Sequence, residues 1–159
     1  MHRPVSTIVV GVDGSEASRD ALRWAVEEAR LRNATVLAVH AWVLPYLPAD
    51  VAPALGPTSS ALEVPELLRT MKEGARELVE TVVREVVGDS ADVEIRPVAV
   101  EGPPAAALID AARGADLLVV GSRGHGGFTG LLVGSVSMQV AQHAPCPVVI
   151  CRHRDEPSD

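Results

Sequence analysis

A chain of 159 residues with 47% hydrophobic and 22% charged residues has the size and composition of one folded domain, which excludes a disordered chain. Its net charge of −7 excludes a basic field that gathers polyanions, and the few aromatics (Trp24, Trp42, Tyr46 and Phe128) are too scattered to stack bases, so nucleic acid is not an expected partner. The apolar run after Met1-His2-Arg3 is too short for an export signal, and the charge-free stretch 33–49 is interrupted by His40, Pro45 and Pro48; the expectation is a cytoplasmic protein with no membrane span.

In chain order, Thr7 to Asp13 (TIVVGVD) reads as a short β-branched strand ended by Asp13-Gly14. Ser15 is placed to cap a helix running to about Asn33, with Glu16 in its first turn and a small-residue face of Ala21, Leu22, Ala25, Val26 and Ala29. Ala34 to Trp42 is a second strand. Residues 44–60 hold Pro45, Pro48, Pro53 and Pro57 without a period, which predicts a long irregular loop. A helix follows from about Leu62 to Val87, ended by Gly88-Asp89, and then a third strand from Asp92 to Val100. Pro103 and Pro104 open a helix over 105–113, because proline suits a first helical turn. Asp116 to Gly121 is strand four, Ser135 to His143 a helix, and Pro147 to Arg152 strand five, with residues 154–159 a polar tail. Strands apolar on both faces that alternate with helices imply a doubly wound, Rossmann-like α/β fold in one domain, 1–153, with a parallel sheet covered on both sides.

In such a sheet ligands bind outside the carboxyl ends of the strands, where the strand order reverses. Two strand ends carry unusual chemistry. One is Asp13-Gly14-Ser15. The other is the segment 121–137 (GSRGHGGFTGLLVGSVS), with six glycines in seventeen residues. Glycine has the most backbone freedom to lose on folding, so such a cluster implies a sharp turn or a close approach to backbone. A helix beginning near Gly134-Ser135 offers unpaired N–H groups and a positive dipole end, which attract anions. Gly121 and Gly124 let the loop leave the strand tightly, Gly134 removes a Cβ from the path of a phosphate, and the Ser135 and Ser137 hydroxyls add donors; Arg123 and His125 are the cationic candidates. The lysine-bearing phosphate loop G-x-x-x-x-G-K-[ST] is absent, and so are G-x-G-x-x-G and G-x-S-x-G.

What fits is G-x-x-G, nine residues, then G-[ST], at Gly121, Gly124, Gly134 and Ser135. Here the chain resembles the universal stress protein family, in its ATP-binding branch. The likeness extends to VGVDGS at 10–15, VHA at 39–41 and CPVVI at 146–150, and covers about residues 4–153. The resemblance implies a five-stranded parallel sheet in the order 3-2-1-4-5 with ATP in its crevice. It places Asp13 by the adenosine, with Gly11 also among the nucleotide-binding residues, and Ala41 at an adenine read by backbone. The ribose and phosphates then fall along Val120, Gly121, Arg123, Gly124, Gly134, Ser135, Val136 and Ser137. It also implies a homodimer through the last strand, at Val148, Val149, Ile150 and Cys151, whose unpaired edge invites pairing.

Other readings stay open at this point. Asp13 can serve as a turn former before Gly14. His40 reads as a satisfied core or rim histidine, and Trp42 as a cover for the sheet edge. His143, Cys146, Cys151 and His153 could suggest zinc, but two cysteines five apart in extended chain face opposite ways. For function, an ATP-responsive regulatory module stands beside a slow ATPase or nucleotidyl-transfer enzyme and beside a dimeric scaffold that holds no nucleotide. Phosphoryl transfer needs a positioned nucleophile and strong charge stabilisation. The segment supplies no lysine and no second acidic metal ligand, so no catalytic residue is expected, and Mg2+ would ride on the phosphates themselves.

Overall fold

The computed structural model describes residues 6–44, 63–89, 92–123 and 133–153. The predicted loop beyond Leu44, the tail 154–159 and Gly124 lie outside them. The chain runs β1 (Thr7–Gly11), α1 (Glu16–Arg32), β2 (Thr35–Trp42), α2 (Glu63–Val87), β3 (Ile95–Glu101), α3 (Pro104–Ala111), β4 (Leu117–Gly121), α4 (Ser135–His143) and β5 (Val148–Cys151). All pairings are parallel and the sheet order is β3-β2-β1-β4-β5, as the resemblance implies.

Local chemistry sets the helix ends. Ser15 accepts a hydrogen bond from Ser18 N and caps α1, which ends on Asn33 in the left-handed conformation (φ 54°). Pro104 stands at the start of α3, where its missing N–H costs nothing. The third strand begins at Ile95, three residues later than expected. The ladder to β2 opens only at Val36↔Ile95, since the same register would set Asp92 opposite Asn33, the left-handed cap of α1; the Asp92 carboxylate accepts from the Arg30 guanidinium (2.8 Å). Helix α3 likewise stops at Ala111, two residues early, and Gly114 follows with positive φ.

Parallel crossovers are right-handed, so the direction in which the chain travels decides which face a helix covers. From β1 to β3 it moves one way and α1 and α2 lie on one face; from β3 to β5 it moves the other way and α3 and α4 lie on the opposite face. Alternate residues of β1 therefore enter different cores. Ile8 and Val10 join Ala21, Leu22, Ala25, Val26, Val79 and Val82; Val9 joins Val39, Ala105, Leu108, Leu118 and Val140. Strand β1 is buried on both sides.

Helix α1 lies unusually close to β4. A Cβ on Gly121 would stand 2.7 Å from the Ala17 backbone carbon and 2.9 Å from its oxygen. Gly121 is thus required by helix packing, a reason the sequence reading does not include. Gly74 is the opposite case, with nothing within 4 Å of its would-be Cβ in the middle of α2. Replacing a mid-helix glycine with alanine removes a cost of about 0.5–1 kcal/mol, whereas an unaccommodated methyl costs about 1–3 kcal/mol. Urea unfolding of Gly74→Ala and Gly121→Ala should therefore move the midpoint in opposite directions, up for the first and down for the second. Two equal shifts would refute the tight α1–β4 contact.

Candidate functional site

Strand β1 ends at Gly11, and the chain turns into α1 through Val12, Asp13, Gly14 and Ser15. Gly14 has φ 84°, the left-handed region open to glycine. Asp13 Oδ1 accepts from Ser15 N (2.9 Å) and from Ser15 Oγ (2.5 Å). Ser15 Oγ in turn accepts from Ser18 N (3.2 Å), and Ser18 Oγ donates to Ser15 O (2.9 Å). The carboxylate thus closes an Asx turn and orients the cap of α1. Asp13 forms the turn, at the exit of β1.

Strand β4 ends beside it, with Val10 opposite Val119. Ser122 N donates to Cys151 O (2.7 Å), and Gly134 N returns to donate to Ser122 O (2.6 Å), which closes the neck of the segment between them. Helix α4 then begins from Gly134, a cap without a side chain (φ −72°, ψ 166°), so the cap residue itself covers none of the first N–H groups. Ser135 is exposed, Val136 half-buried and Arg123 exposed. Ser137 behaves differently from the expectation. It is buried, and its hydroxyl donates to Gly121 O (2.5 Å), fastening α4 to the end of β4. Its single proton is committed to that carbonyl.

Gly11 faces the other core, where its missing Cβ makes room for the Leu108 methyl groups. Ala41 is half-buried, one residue from the end of β2. His40 is held as a rim histidine, its Nδ1 2.7 Å from Val12 O. The exits of β2, β1 and β4 are neighbours at the reversal of strand order, which sets Ala41, Asp13, Gly121 and Arg123 along one edge of the sheet. Gly134, Ser135, Val136 and Ser137, at the start of α4, are tied to that edge through Ser122 and Gly121. Val120 is buried in the α3/α4 core, as is the space beside Gly11. Ser18 and Ser122, which tie the two strand exits in place, carry no signal in the sequence beyond being small and polar.

The cysteines do not converge. Cys151 packs with the α1/α2 core and Cys146 with the α3/α4 core. Burial pushes both thiols above their ordinary range, with the Asp20 carboxylate adding to the effect at Cys151 and Asp116 at Cys146. Asp20 Oδ2 also meets His153 Nδ1 at 2.6 Å. Among the described residues no group of three His, Cys, Asp or Glu is arranged to hold a metal, and no helix is long and apolar enough to cross a membrane.

The model of the Universal stress protein family matches residues 4–152. The chain belongs to that family. A universal stress protein of Mycolicibacterium smegmatis is 37% identical over 149 residues, which are 92% of this chain and 46% of that protein. The chain therefore spans about half the length of the mycobacterial relatives it matches. Among solved structures, the universal stress protein UspA from Lactobacillus plantarum is 26% identical with a TM-score of 0.72, covering 95% of this chain and 100% of that one. A universal stress protein solved in complex with cAMP is 28% identical (TM-score 0.60, 94% and 98% covered). One from Archaeoglobus fulgidus solved with dAMP is 26% identical (TM-score 0.60, 92% and 97% covered).

Two outcomes follow from this geometry. Ser137→Ala leaves Gly121 O without its donor and should lower unfolding stability by about 1–2 kcal/mol; an unchanged urea midpoint would show that the clip carries no weight. Because a raised thiol pKa means less thiolate, Cys151 should be alkylated by iodoacetamide at pH 8 more slowly than free cysteine, and faster in Asp20→Asn. Identical rates in the two proteins would remove the carboxylate from the account.

Proposed function

We propose that this universal stress protein binds an adenine nucleotide, ATP carrying Mg2+ on its phosphates, in the crevice at the β1/β4 exit, and acts as a nucleotide-responsive regulatory module. The observation that carries this reading is the glycine-capped start of α4 beside the Asp13 turn: backbone donors in an acidic protein, at the point where strand order reverses. It is supported by relatives that hold cAMP and dAMP, ligands that share an adenine base and a phosphate. In this reading Asp13 and Ala41 adjoin the adenosine. The N–H groups at Ser135 and Val136, with Arg123 and Gly124, take the phosphates, while Gly134, its own N–H held by Ser122 O, leaves the approach open by lacking a Cβ.

Binding is favoured over efficient turnover because the polar groups at the site already have structural work. The Asp13 carboxylate orders the α1 cap and the Ser137 hydroxyl holds Gly121 O. We further infer a homodimer through Val148, Val149, Ile150 and Cys151. The half-buried edge strand β5 pairs with β4 alone among the described residues.

Thermal unfolding of nucleotide-stripped protein tests the ligand. Magnesium-ATP at 100 times its dissociation constant stabilises by about 2.7 kcal/mol, a rise of about 5–11 °C for a domain of this size. AMP at the same concentration should give a much smaller shift, and Gly134→Val should abolish the ATP shift while leaving the unliganded midpoint near its native value. No shift at millimolar ATP would overturn the reading and favour a scaffold without nucleotide.

A further inference from the structure

In a parallel ladder, a residue whose N–H donates to one neighbouring carbonyl offers its own C=O to the N–H two residues further along that neighbour. Val12 N donates to Val39 O (2.8 Å). The regular partner of Val12 O is therefore Ala41 N–H. That bond is not made: the β1/β2 register ends at Gly11↔Val39, and Val12 lies outside the strand. Val12 O instead meets His40 Nδ1 at 2.7 Å. A carbonyl can only accept, so Nδ1 carries the proton and the ring donates. The imidazole donates to the oxygen that a continued ladder would offer to the Ala41 N–H.

The consequence is an N–H at the crevice mouth without a hydrogen-bond partner among the described residues. Ala41 is half-buried, and its N–H is directed along the β1 side of β2, level with the Val12–Asp13 turn. A half-buried N–H left open costs stability unless something completes it. The same His40 bond holds Val12, and through it Asp13, in the position from which the carboxylate orders the α1 cap.

We propose that His40 is a positioning residue of the nucleotide site: by occupying Val12 O it holds the Ala41 N–H free to donate to a ring nitrogen of adenine. This rests on the nucleotide-binding reading above. His40 does not touch the ligand. It decides whether the base finds a donor at the end of β2 or a ladder that has already closed.

The experiment pairs two variants with amide hydrogen exchange, using magnesium-ATP as the probe. His40→Phe keeps the ring volume and lacks the donor, so Val12 O recaptures Ala41 N–H. His40→Asn carries an amide donor to the position of Nδ1. ATP should bind His40→Phe about five- to tenfold more weakly, the loss of one hydrogen bond, and His40→Asn within about threefold of wild type. Unliganded midpoints should stay close, because the Phe variant exchanges one bond for another. In the free wild-type protein the Ala41 amide should exchange quickly, and it should become protected in His40→Phe or when ATP is added to wild type.

Equal ATP affinity in wild type and His40→Phe would overturn the proposal, as would a protected Ala41 amide in the free wild-type protein. Should His40→Phe fail to fold, the exchange of the wild-type Ala41 amide with and without ATP and the affinity of His40→Asn still decide it. Failure of wild type to bind any adenine nucleotide would overturn the binding reading itself, and with it this role for His40. A fast-exchanging Ala41 amide in that same protein would show the His40 bond intact, which separates the two failures.

Discussion

A parallel strand is reached from its neighbour only by a crossover of one hand, and the carboxyl edge of this sheet follows from that constraint. Because the chain turns back over β1 to reach β4, α1 and α4 leave the edge on opposite faces, and β1 and β4 part company just beyond their last shared pair, Val10↔Val119. The opening between them needs no insertion and no distortion of a strand. What remains for the sequence to do is to hold the two exits at a fixed spacing and to furnish them with donors.

Small residues meet the first requirement. Helix α1 presents Ala17, Ala21, Ala25 and Ala29 to the sheet, all buried, and Gly121 lets the Ala17 backbone come into contact with the end of β4. A helix standing on larger side chains would ride further out, and the Asp13 turn would ride with it. The second requirement is met by backbone: the start of α4 is capped by a residue with no side chain, and the start of α1 is closed by Ser15 and Asp13. The two helix starts are thus unequal: the cap of α1 supplies its own side-chain hydrogen bond and the cap of α4 supplies none.

Much of this was legible in the sequence because it is local. The Ser15 cap, the stop at Asn33, Pro104 at the head of α3 and the span of α4 all answer to a few adjacent residues, and they stand where the pattern puts them. The strand order came through the resemblance, since periodicity says that β1 and β4 are buried without saying that they are neighbours. Three features needed tertiary contacts that no run of residues displays. Gly121 looked like a loop glycine and is a packing glycine, because its constraint is Ala17, more than a hundred positions away in sequence. Ser137 looked like a ligand donor, and its hydroxyl is turned to Gly121 O. His40 reads as a rim histidine, and the carbonyl it holds belongs to Val12, just past the end of β1. The late start of β3 likewise follows from register: continued back from Val36↔Ile95, it would set Asp92 opposite Asn33, the left-handed cap of α1, where β2 has not yet begun.

The bond from Gly134 N to Ser122 O has a different kind of consequence. It joins the two ends of the segment 123–133 directly, so the sheet and α4 are tied to each other whatever lies between. Lengthening such a span costs little, about 0.6 kcal/mol for each doubling of its length. Folding therefore places almost no demand on how many residues separate Gly124 from Gly134. A change in the length of the span would leave the joined ends of β4 and α4 in place.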